Sequence, residues 1–181
     1  TYPAGALIAA NFDAFLKGER KFDVLFEPTD RTSLEVHSPT RNHILLNELD
    51  NVRSRIYVLT HKDGAWKREE LPGLPKFGNA TAAAVDPDES DDYFLTVNDY
   101  LMPVTLSMGT VGKGPAEKLK QAPAFFDAKG LVVTQHEATS KDGTKVPYFQ
   151  VGPKDLKPDG TNPTLLYGYG GFEVSLTPGY S

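Results

Sequence analysis

The sequence predicts a mainly β protein, with about two β-propeller blades followed by the first strands of a domain of the α/β type. Short apolar runs alternate with turn residues as far as about residue 130. A strand pattern recurs at a spacing of about 50 residues within this region. The character of the chain then changes after Gly130. Only segment 13–17 looks helical, and it is short.

The strand candidates are short, with three to seven residues, and rich in β-branched or aromatic residues, which is typical of β-strands. Turn residues separate them, and Asp63-Gly64 is a typical two-residue hairpin turn. The predicted strands are 5–11, 34–36, 43–48, 55–61, 67–70, 80–85, 93–97, 104–110 and 117–120.

A weak internal repeat relates these strands to one another. Segments 43–46 and 93–96 lie 50 residues apart, as do segments 55–58 and 105–108, and segment 6–9 lies 49 residues before 55–58. A period near 50 with three or four strands in each unit is typical of propeller blades. A β-sandwich gives a similar strand spacing and is the alternative.

Composition excludes several kinds of protein. The net charge of −5 argues against a nucleic-acid partner. No apolar run is long enough to span a bilayer, and we expect a soluble cytoplasmic or periplasmic protein without membrane contact. The chain has no cysteine, and no metal-binding spacing links its four histidines, so we expect neither a metal nor a cofactor. The acidic segment 86–92 lacks EF-hand spacing and is interpreted as a solvated turn.

Residues 131–181 read as a separate domain, which follows a partial propeller over residues 1–130. Segments 131–139 and 146–151 are predicted strands around a polar turn. Segment 163–167 is a continuous apolar run, which is typical of a strand buried on both faces. A glycine-rich loop, 168–172, follows directly. In α/β enzymes, a buried strand that leads into such a loop often carries the functional site.

Three glycines in this loop, Gly168, Gly170 and Gly171, let a ligand approach the backbone and permit a positive φ. In α/β-hydrolases, loops of this type supply oxyanion-hole donors, and the nucleophile elbow comes much later in the chain. The alternative is an aromatic-lined turn that only packs. A phosphate loop is excluded, because no GxGxxG motif opens a helix here.

Two ordered motifs make a resemblance specific. Residues 166–172 read Leu-Tyr-Gly-Tyr-Gly-Gly-Phe, and residues 140–147 read Ser-Lys-Asp-Gly-Thr-Lys-Val-Pro. With Asp159-Gly160 and Pro163, they resemble the start of the peptidase domain of prolyl oligopeptidases, which are serine peptidases. Residues 1–130 resemble, more loosely, the last blades of that family's seven-bladed propeller. Oligopeptidase B usually carries Ser and Tyr at the positions of Gly171 and Phe172, which favours the prolyl branch.

The resemblance implies that Tyr169 stabilises the oxyanion, and that Phe172, Gly170 and Gly171 contact the substrate. It also implies a serine-type oligopeptidase that cleaves short peptides on the carboxyl side of proline through an acyl-enzyme. The family's catalytic Ser, Asp and His would all lie beyond Ser181. We therefore expect a fragment that lacks the catalytic triad and is inactive alone.

Two other functions remain open: a propeller that serves as an interaction module, and another α/β-hydrolase, either oligopeptidase B-like, an acylaminoacyl-peptidase or an esterase. The expected partners are a short peptide substrate and either the remainder of the same protein or a second copy, bound through unpaired blade edges.

Overall fold

The computed structural model describes residues 1–172 and 174–181. Within them the protein is mainly β, with two four-stranded antiparallel sheets and two antiparallel strand pairs. No helix in these residues is long and apolar enough to cross a membrane. The elements are β1 (Leu7–Ala9), α1 (Phe12–Leu16), β2 (Asp23–Phe26), β3 (Thr32–Pro39), β4 (His43–Asp50), β5 (Arg53–Lys62), β6 (Ala65–Glu70), β7 (Asn79–Ala84), β8 (Asp92–Asn98), β9 (Thr105–Thr110), β10 (Glu117–Gln121), β11 (Leu131–Thr139) and β12 (Lys145–Pro153).

The two four-stranded sheets are the predicted blades. Their strand orders are β3-β4-β5-β6 and β7-β8-β9-β10, so each strand pairs with the next one along the chain. The repeat follows this order, because 43–46 and 93–96 lie in the second strands and 55–58 and 105–108 lie in the third. Strand β1, which contains most of segment 6–9, pairs with β2 as the third and fourth strands of a blade do.

Strand β2 was not predicted from the sequence. It has only four residues and pairs only with β1, beyond the short helix α1. The Asn11 side chain caps this helix by accepting a hydrogen bond from Ala14 N at 2.9 Å. Such a short strand has too few residues to show an alternating pattern, and its pairing across α1 is a tertiary feature.

The first blade is buried on both faces, because side chains alternate along a β-strand. On β4, Leu45 packs into the core between the two blades, together with Ile56, Ala82 and Tyr93. The next residue, Leu46, faces the opposite side and packs with residues of β2, Leu25 and Phe26, and with Leu59. The β1–β2 pair, the first blade and the second blade are therefore stacked, with an apolar layer between neighbouring units, as propeller blades are.

The free edge of β7 is closed by side chains of the first blade. Asn47 on β4 is 1% exposed. Its Nδ2 donates to Ala82 O at 3.0 Å, and its Oδ1 accepts from Ala82 N at 2.7 Å. Two residues further on, Ala84 N donates to Ser38 Oγ at 2.9 Å. Backbone groups of an edge strand otherwise remain unpaired, so these bonds replace a strand partner.

Asp91 connects the two blades at the end where β4 and β8 begin. Its carboxylate accepts three hydrogen bonds, each of 2.7 Å, from Thr40 Oγ1, Asn42 N and Asn42 Nδ2. His43 Nε2 lies 3.9 Å away. Partial burial acts to raise the pKa of Asp91, but the hydrogen bonds from Asn42 and Thr40 outweigh it and lower the pKa. Segment 86–92 is thus an inter-blade contact rather than only a solvated turn.

Strands β11 and β12 form a long hairpin that rests against one end of both blades. Gln135 Nε2 donates to Asn51 O, in the β4–β5 turn, at 2.7 Å. The Phe149 ring lies 5.7 Å from Tyr100, in the β8–β9 connection. An ion pair of 3.0 Å joins Arg31, just before β3, to Glu137. All these contacts lie at the end where β3, β5, β7 and β9 begin.

The prediction of a buried strand at 163–167 is wrong for this structure. The segment is not a strand, and Leu165 and Leu166 are 91% and 93% exposed. A strand needs a hydrogen-bonding neighbour, and a strand buried on both faces also needs a layer on each side. None of the described residues supplies either one for this segment.

We predict that Asn47→Ala destabilises the protein by about 2–6 kcal/mol, because two buried backbone groups of Ala82 lose their partners and each costs about 1–3 kcal/mol. Urea unfolding of both proteins measures this difference. The matched control is Asn162→Ala in an exposed loop, for which we expect a change below about 0.5 kcal/mol. Equal losses in the two variants would contradict the edge-closing role.

We predict that Asp91→Asn lowers stability at pH 7 by an amount on the order of 1 kcal/mol. A carboxyl whose folded-state pKa is lowered stabilises the protein fully well above the usual aspartate pKa of about 3.9, and this contribution is lost as the pH falls through the folded-state pKa. The difference between wild type and variant should therefore shrink below about pH 4. Thermal unfolding from pH 3 to 7 tests this, with exposed Asp88→Asn as the neutral control.

Candidate active-site loop

The glycine-rich loop carries every site residue predicted from the sequence, and it is exposed. Tyr169 is 53% exposed and Phe172 is 95% exposed. The Tyr169 ring folds back over Gly171: a Cβ added to Gly171 would lie 3.2 Å from Tyr169 Oη and 3.4 Å from Cζ. Glycine at position 171 therefore sets how close the tyrosine ring lies to the backbone.

The backbone of the loop differs from the sequence prediction in one respect. None of Gly168, Gly170 and Gly171 uses a left-handed φ, whereas Phe172 has a φ of 56°. Val174 N donates to Gly171 O at 3.2 Å and closes a turn that contains Phe172. A left-handed aromatic residue is uncommon, because its Cβ crowds the backbone. In this turn the Phe172 side chain is directed into solvent.

The loop is attached to the blades on its C-terminal side. Thr177 Oγ1 accepts from Asn79 Nδ2, at the start of β7, at 3.5 Å. Pro178 is fully buried. Tyr180 Oη accepts from Phe125 N at 2.8 Å. The loop is therefore anchored at the same end of the blades as the β11–β12 hairpin. Nothing in the composition or spacing of residues 177–180 signalled this anchor.

The histidines do not converge on the loop. His43 bonds Thr60 Oγ1 at 2.7 Å across β4 and β5 of the first blade, and the His61 ring packs 4.8 Å from Trp66. His136 stacks on Tyr148 at 5.3 Å in the hairpin. Among residues 1–172 and 174–181, no group of three His, Asp or Glu side chains is placed to hold a metal ion.

The shifted pKa values of Glu48 and Asp91 reflect blade packing rather than a reactive site. Glu48 is buried in the first blade, and its burial raises its pKa, although Arg68 at 2.7 Å acts to lower it. Arg68 in turn lies 3.7 Å above the Tyr57 ring. A shifted pKa identifies a functional site only when the titratable group also lies in an accessible cleft. Glu48 and Asp91 bond residues of the first blade, Arg68 for Glu48 and Thr40 and Asn42 for Asp91, and none of the loop.

Known proteins match both the sequence and the fold. No family model matches the chain. The "Uncharacterized peptidase y4nA" of Sinorhizobium fredii is 42% identical over 179 residues, which is 98% of this chain and 24% of that protein. The "Prolyl endopeptidase" of Elizabethkingia meningoseptica is 40% identical over 108 residues, which is 60% of this chain and 15% of that protein.

A solved structure of a post-proline cleaving enzyme from Rickettsia typhi matches with a TM-score of 0.78 and 32% identity, over 98% of this chain and 26% of that chain. This chain is homologous to a segment of the prolyl oligopeptidases. The segment spans about a quarter of the length of the curated relatives that match it over nearly its whole length. These matches confirm the resemblance to prolyl oligopeptidases that the loop motif indicated. They also confirm the propeller blades and the mainly β fold.

We predict that Gly171→Ala shifts the Tyr169 ring by a few tenths of an ångström, because the new Cβ would stand 3.2 Å from Tyr169 Oη. The measurement is the NMR chemical shift of the Tyr169 ring protons. Gly168→Ala is the matched control, since a Cβ at that position meets nothing within 4 Å. Unchanged Tyr169 resonances in Gly171→Ala would show that the ring does not lie over this glycine in solution.

Proposed function

We propose that the protein containing this chain is a serine-type peptidase that hydrolyses short peptides on the carboxyl side of proline. The observation that carries the proposal is Tyr169, an exposed tyrosine held over Gly171 within a glycine-rich loop. Homology to peptidases along nearly the whole chain supports the kind of reaction. The relatives named prolyl endopeptidase support the preference for proline.

In this proposal a serine outside the 181 residues is the nucleophile, because the sequence contains no Gly-x-Ser-x-Gly elbow. The serine oxygen attacks the scissile carbonyl carbon, and its proton passes to a histidine. That proton then goes to the leaving amine as the peptide bond breaks. Water hydrolyses the resulting ester and restores the serine.

Tyr169 acts on the charge that develops during the attack. Its hydroxyl donates a hydrogen bond to the carbonyl oxygen as that oxygen becomes an oxyanion. A preorganised donor of this kind contributes about 2.7–4 kcal/mol to transition-state stabilisation. Since the ring already rests on Gly171, little reorientation is needed when substrate binds.

Phe172, Gly170 and Gly171 contact the substrate in this proposal. The Phe172 ring projects from its turn, 95% exposed, and offers an apolar face to the residues beside the scissile bond. Gly170 and Gly171 lack side chains and let the peptide approach the backbone closely. The blades lie beside the loop and would limit access by large folded proteins.

The outer face of the second blade is the surface for the remaining partner in this proposal. Phe94 on this face is 38% exposed, and its cross-strand neighbour Met108 is half-buried. In a propeller, each blade covers the next one. We propose that the rest of the same protein, or a second copy, covers this face and the open sheet edges.

We predict that Tyr169→Phe lowers kcat on a Gly-Pro-coumarin substrate by about 10²–10³, with little change in KM. The hydroxyl acts on the transition state, so its loss affects turnover more than substrate binding. The assay uses the full-length protein. Tyr167→Phe is the matched control, because it removes the same group from an exposed tyrosine two residues away. We expect its kcat to stay within about twofold.

Three outcomes would contradict parts of this proposal. An unchanged kcat in Tyr169→Phe would remove Tyr169 from the mechanism and leave the peptidase assignment intact. Cleavage after arginine but not after proline would indicate an oligopeptidase B-like specificity. No cleavage of either substrate by the wild type would contradict the peptidase assignment itself.

A further inference from the structure

The joint between the two blades is held unevenly along its length. At the end where β4 and β8 begin, the Asp91 carboxylate accepts three hydrogen bonds of 2.7 Å from Thr40 and Asn42. Halfway along the joint, the Asn47 side chain bonds Ala82 N at 2.7 Å and Ala82 O at 3.0 Å. All these distances are those of well-formed hydrogen bonds. The joint is therefore firmly closed at the Asp91 end and in its middle.

The other end of the joint, where β5 and β7 begin, has weaker direct bonds. Within residues 1–172 and 174–181, hydrogen bonds between the two blades at this end are made only by Ser54. Ser54 N donates to Gly78 O, next to β7, at 3.5 Å, and Ser54 Oγ donates to Asn79 Oδ1 at 3.4 Å. Hydrogen bonds weaken beyond about 3.2 Å. Local separation of the blades is therefore expected to begin at this end.

One face of the β11–β12 hairpin lies at this weaker end. In the hairpin register Gln135 pairs with Phe149, and Glu137 pairs with Pro147. Directly paired residues of an antiparallel sheet point to the same face, and so do residues two apart on one strand. Gln135, Glu137 and Phe149 therefore share a face. We call these three residues the brace.

Two residues of the brace bond the first blade. Gln135 Nε2 donates to Asn51 O, in the turn between β4 and β5, at 2.7 Å. Glu137 accepts from Arg31 Nη1 at 3.0 Å, and the same Nη1 lies 3.1 Å from Asn51 Oδ1. Both contacts thus converge on the Asn51 turn, which lies three residues before Ser54. The brace holds the first blade close to the weak bonds of the joint.

The third residue of the brace holds the second blade. The Phe149 ring lies 5.7 Å from Tyr100, between β8 and β9, and 6.4 Å from Phe77, two residues before β7. All three rings are half-buried, and these separations are those of interacting aromatic pairs. One rigid hairpin therefore contacts both sides of the joint at the end where the direct bonds are long.

We propose that the hairpin closes the joint between the blades as a brace, and that the joint opens about its Asp91 end when the hairpin moves away. Docking of the hairpin and closure of the joint then stabilise each other by the same free energy, because such coupling is reciprocal. The sequence places the hairpin at the start of the second predicted domain, so a displacement of that domain reaches the blades through the brace. This inference goes beyond the proposed peptidase function and does not depend on Tyr169.

Three backbone amides report on the joint through hydrogen exchange. Ser54 N donates across the joint at the braced end, and Ala84 N donates across it to Ser38 Oγ, nearer the Asp91 end, at 2.9 Å. Leu71 N donates to Ile56 O at 2.8 Å within the first blade and reports on unfolding of that blade as a whole. An amide exchanges when its hydrogen bond opens, so the three rates separate local opening from general loss of stability.

The first test measures these amides by mass spectrometry at single-residue resolution in the full-length protein. We expect Phe149→Ala to speed exchange at Ser54 about fivefold or more, with changes below about twofold at Ala84 and Leu71. Tyr148→Ala is the matched control, because it removes a similar ring from the next residue of the same strand, which stacks on His136 instead of a blade. We expect it to leave all three rates unchanged.

A double-mutant cycle tests whether both sides of the brace are needed. Gln135→Ala releases the first blade, as Phe149→Ala releases the second, so either variant alone should free the joint. We therefore expect the double variant to exchange at Ser54 no faster than the faster single variant. Phe149→Leu, which keeps an apolar side chain, covers the case in which Phe149→Ala does not fold, and should give a smaller increase confined to Ser54.

Three results would overturn the proposal. Unchanged exchange at Ser54 in Phe149→Ala and Gln135→Ala would show that the hairpin does not close the joint. Equal acceleration at Ser54, Ala84 and Leu71 would show a general loss of stability instead of opening at one end. Effects that multiply in the double variant would show that Gln135 and Phe149 act separately and form no brace.

Discussion

The arrangement of the blades depends on how the open edge of β7 is satisfied. An edge strand presents backbone donors and acceptors that must find partners once they are buried. Here the side-chain amide of Asn47 bonds both the N–H and the C=O of Ala82, and Ser38 accepts from Ala84 N. These bonds allow two separate sheets to pack closely face to face without merging into one. Apolar burial supplies the attraction between the blades, and the amide sets their register.

The stacked blades create the platform on which the rest of the chain is placed. Because the strands alternate in direction, the β4–β5 turn, the start of β7 and the β8–β9 connection come together at one end. The hairpin rests there through Gln135 and Phe149, and the loop's C-terminal side is fixed there through Thr177 and Tyr180. The hairpin and the C-terminal side of the loop are thus placed at the same end of the blades.

The chemistry of the loop is divided between neighbouring residues. Tyr169 lies over Gly171 and offers a hydroxyl, whereas the left-handed Phe172 directs its ring into solvent. A glycine without a Cβ brings the tyrosine ring close to the backbone, and the turn that follows separates the two aromatic rings. The loop thereby offers a polar donor and an apolar side chain within four residues, which is the arrangement that the proposed peptidase function uses.

The sequence by itself determined most of the strands, the repeat of the blades and the loop motif, since alternation, turn residues and glycines are local features. Tertiary structure decided what local patterns do not contain. Asn47 bonds a residue 35 positions away, and Asp91 bonds residues 49 and 51 positions away. Segment 163–167 had the composition of a buried strand and still formed none, because a strand depends on a neighbour. The hydrogen bond from Phe125 N to Tyr180 Oη likewise joins residues 55 positions apart, and such pairing follows from the packing of whole sheets rather than from any short stretch of chain.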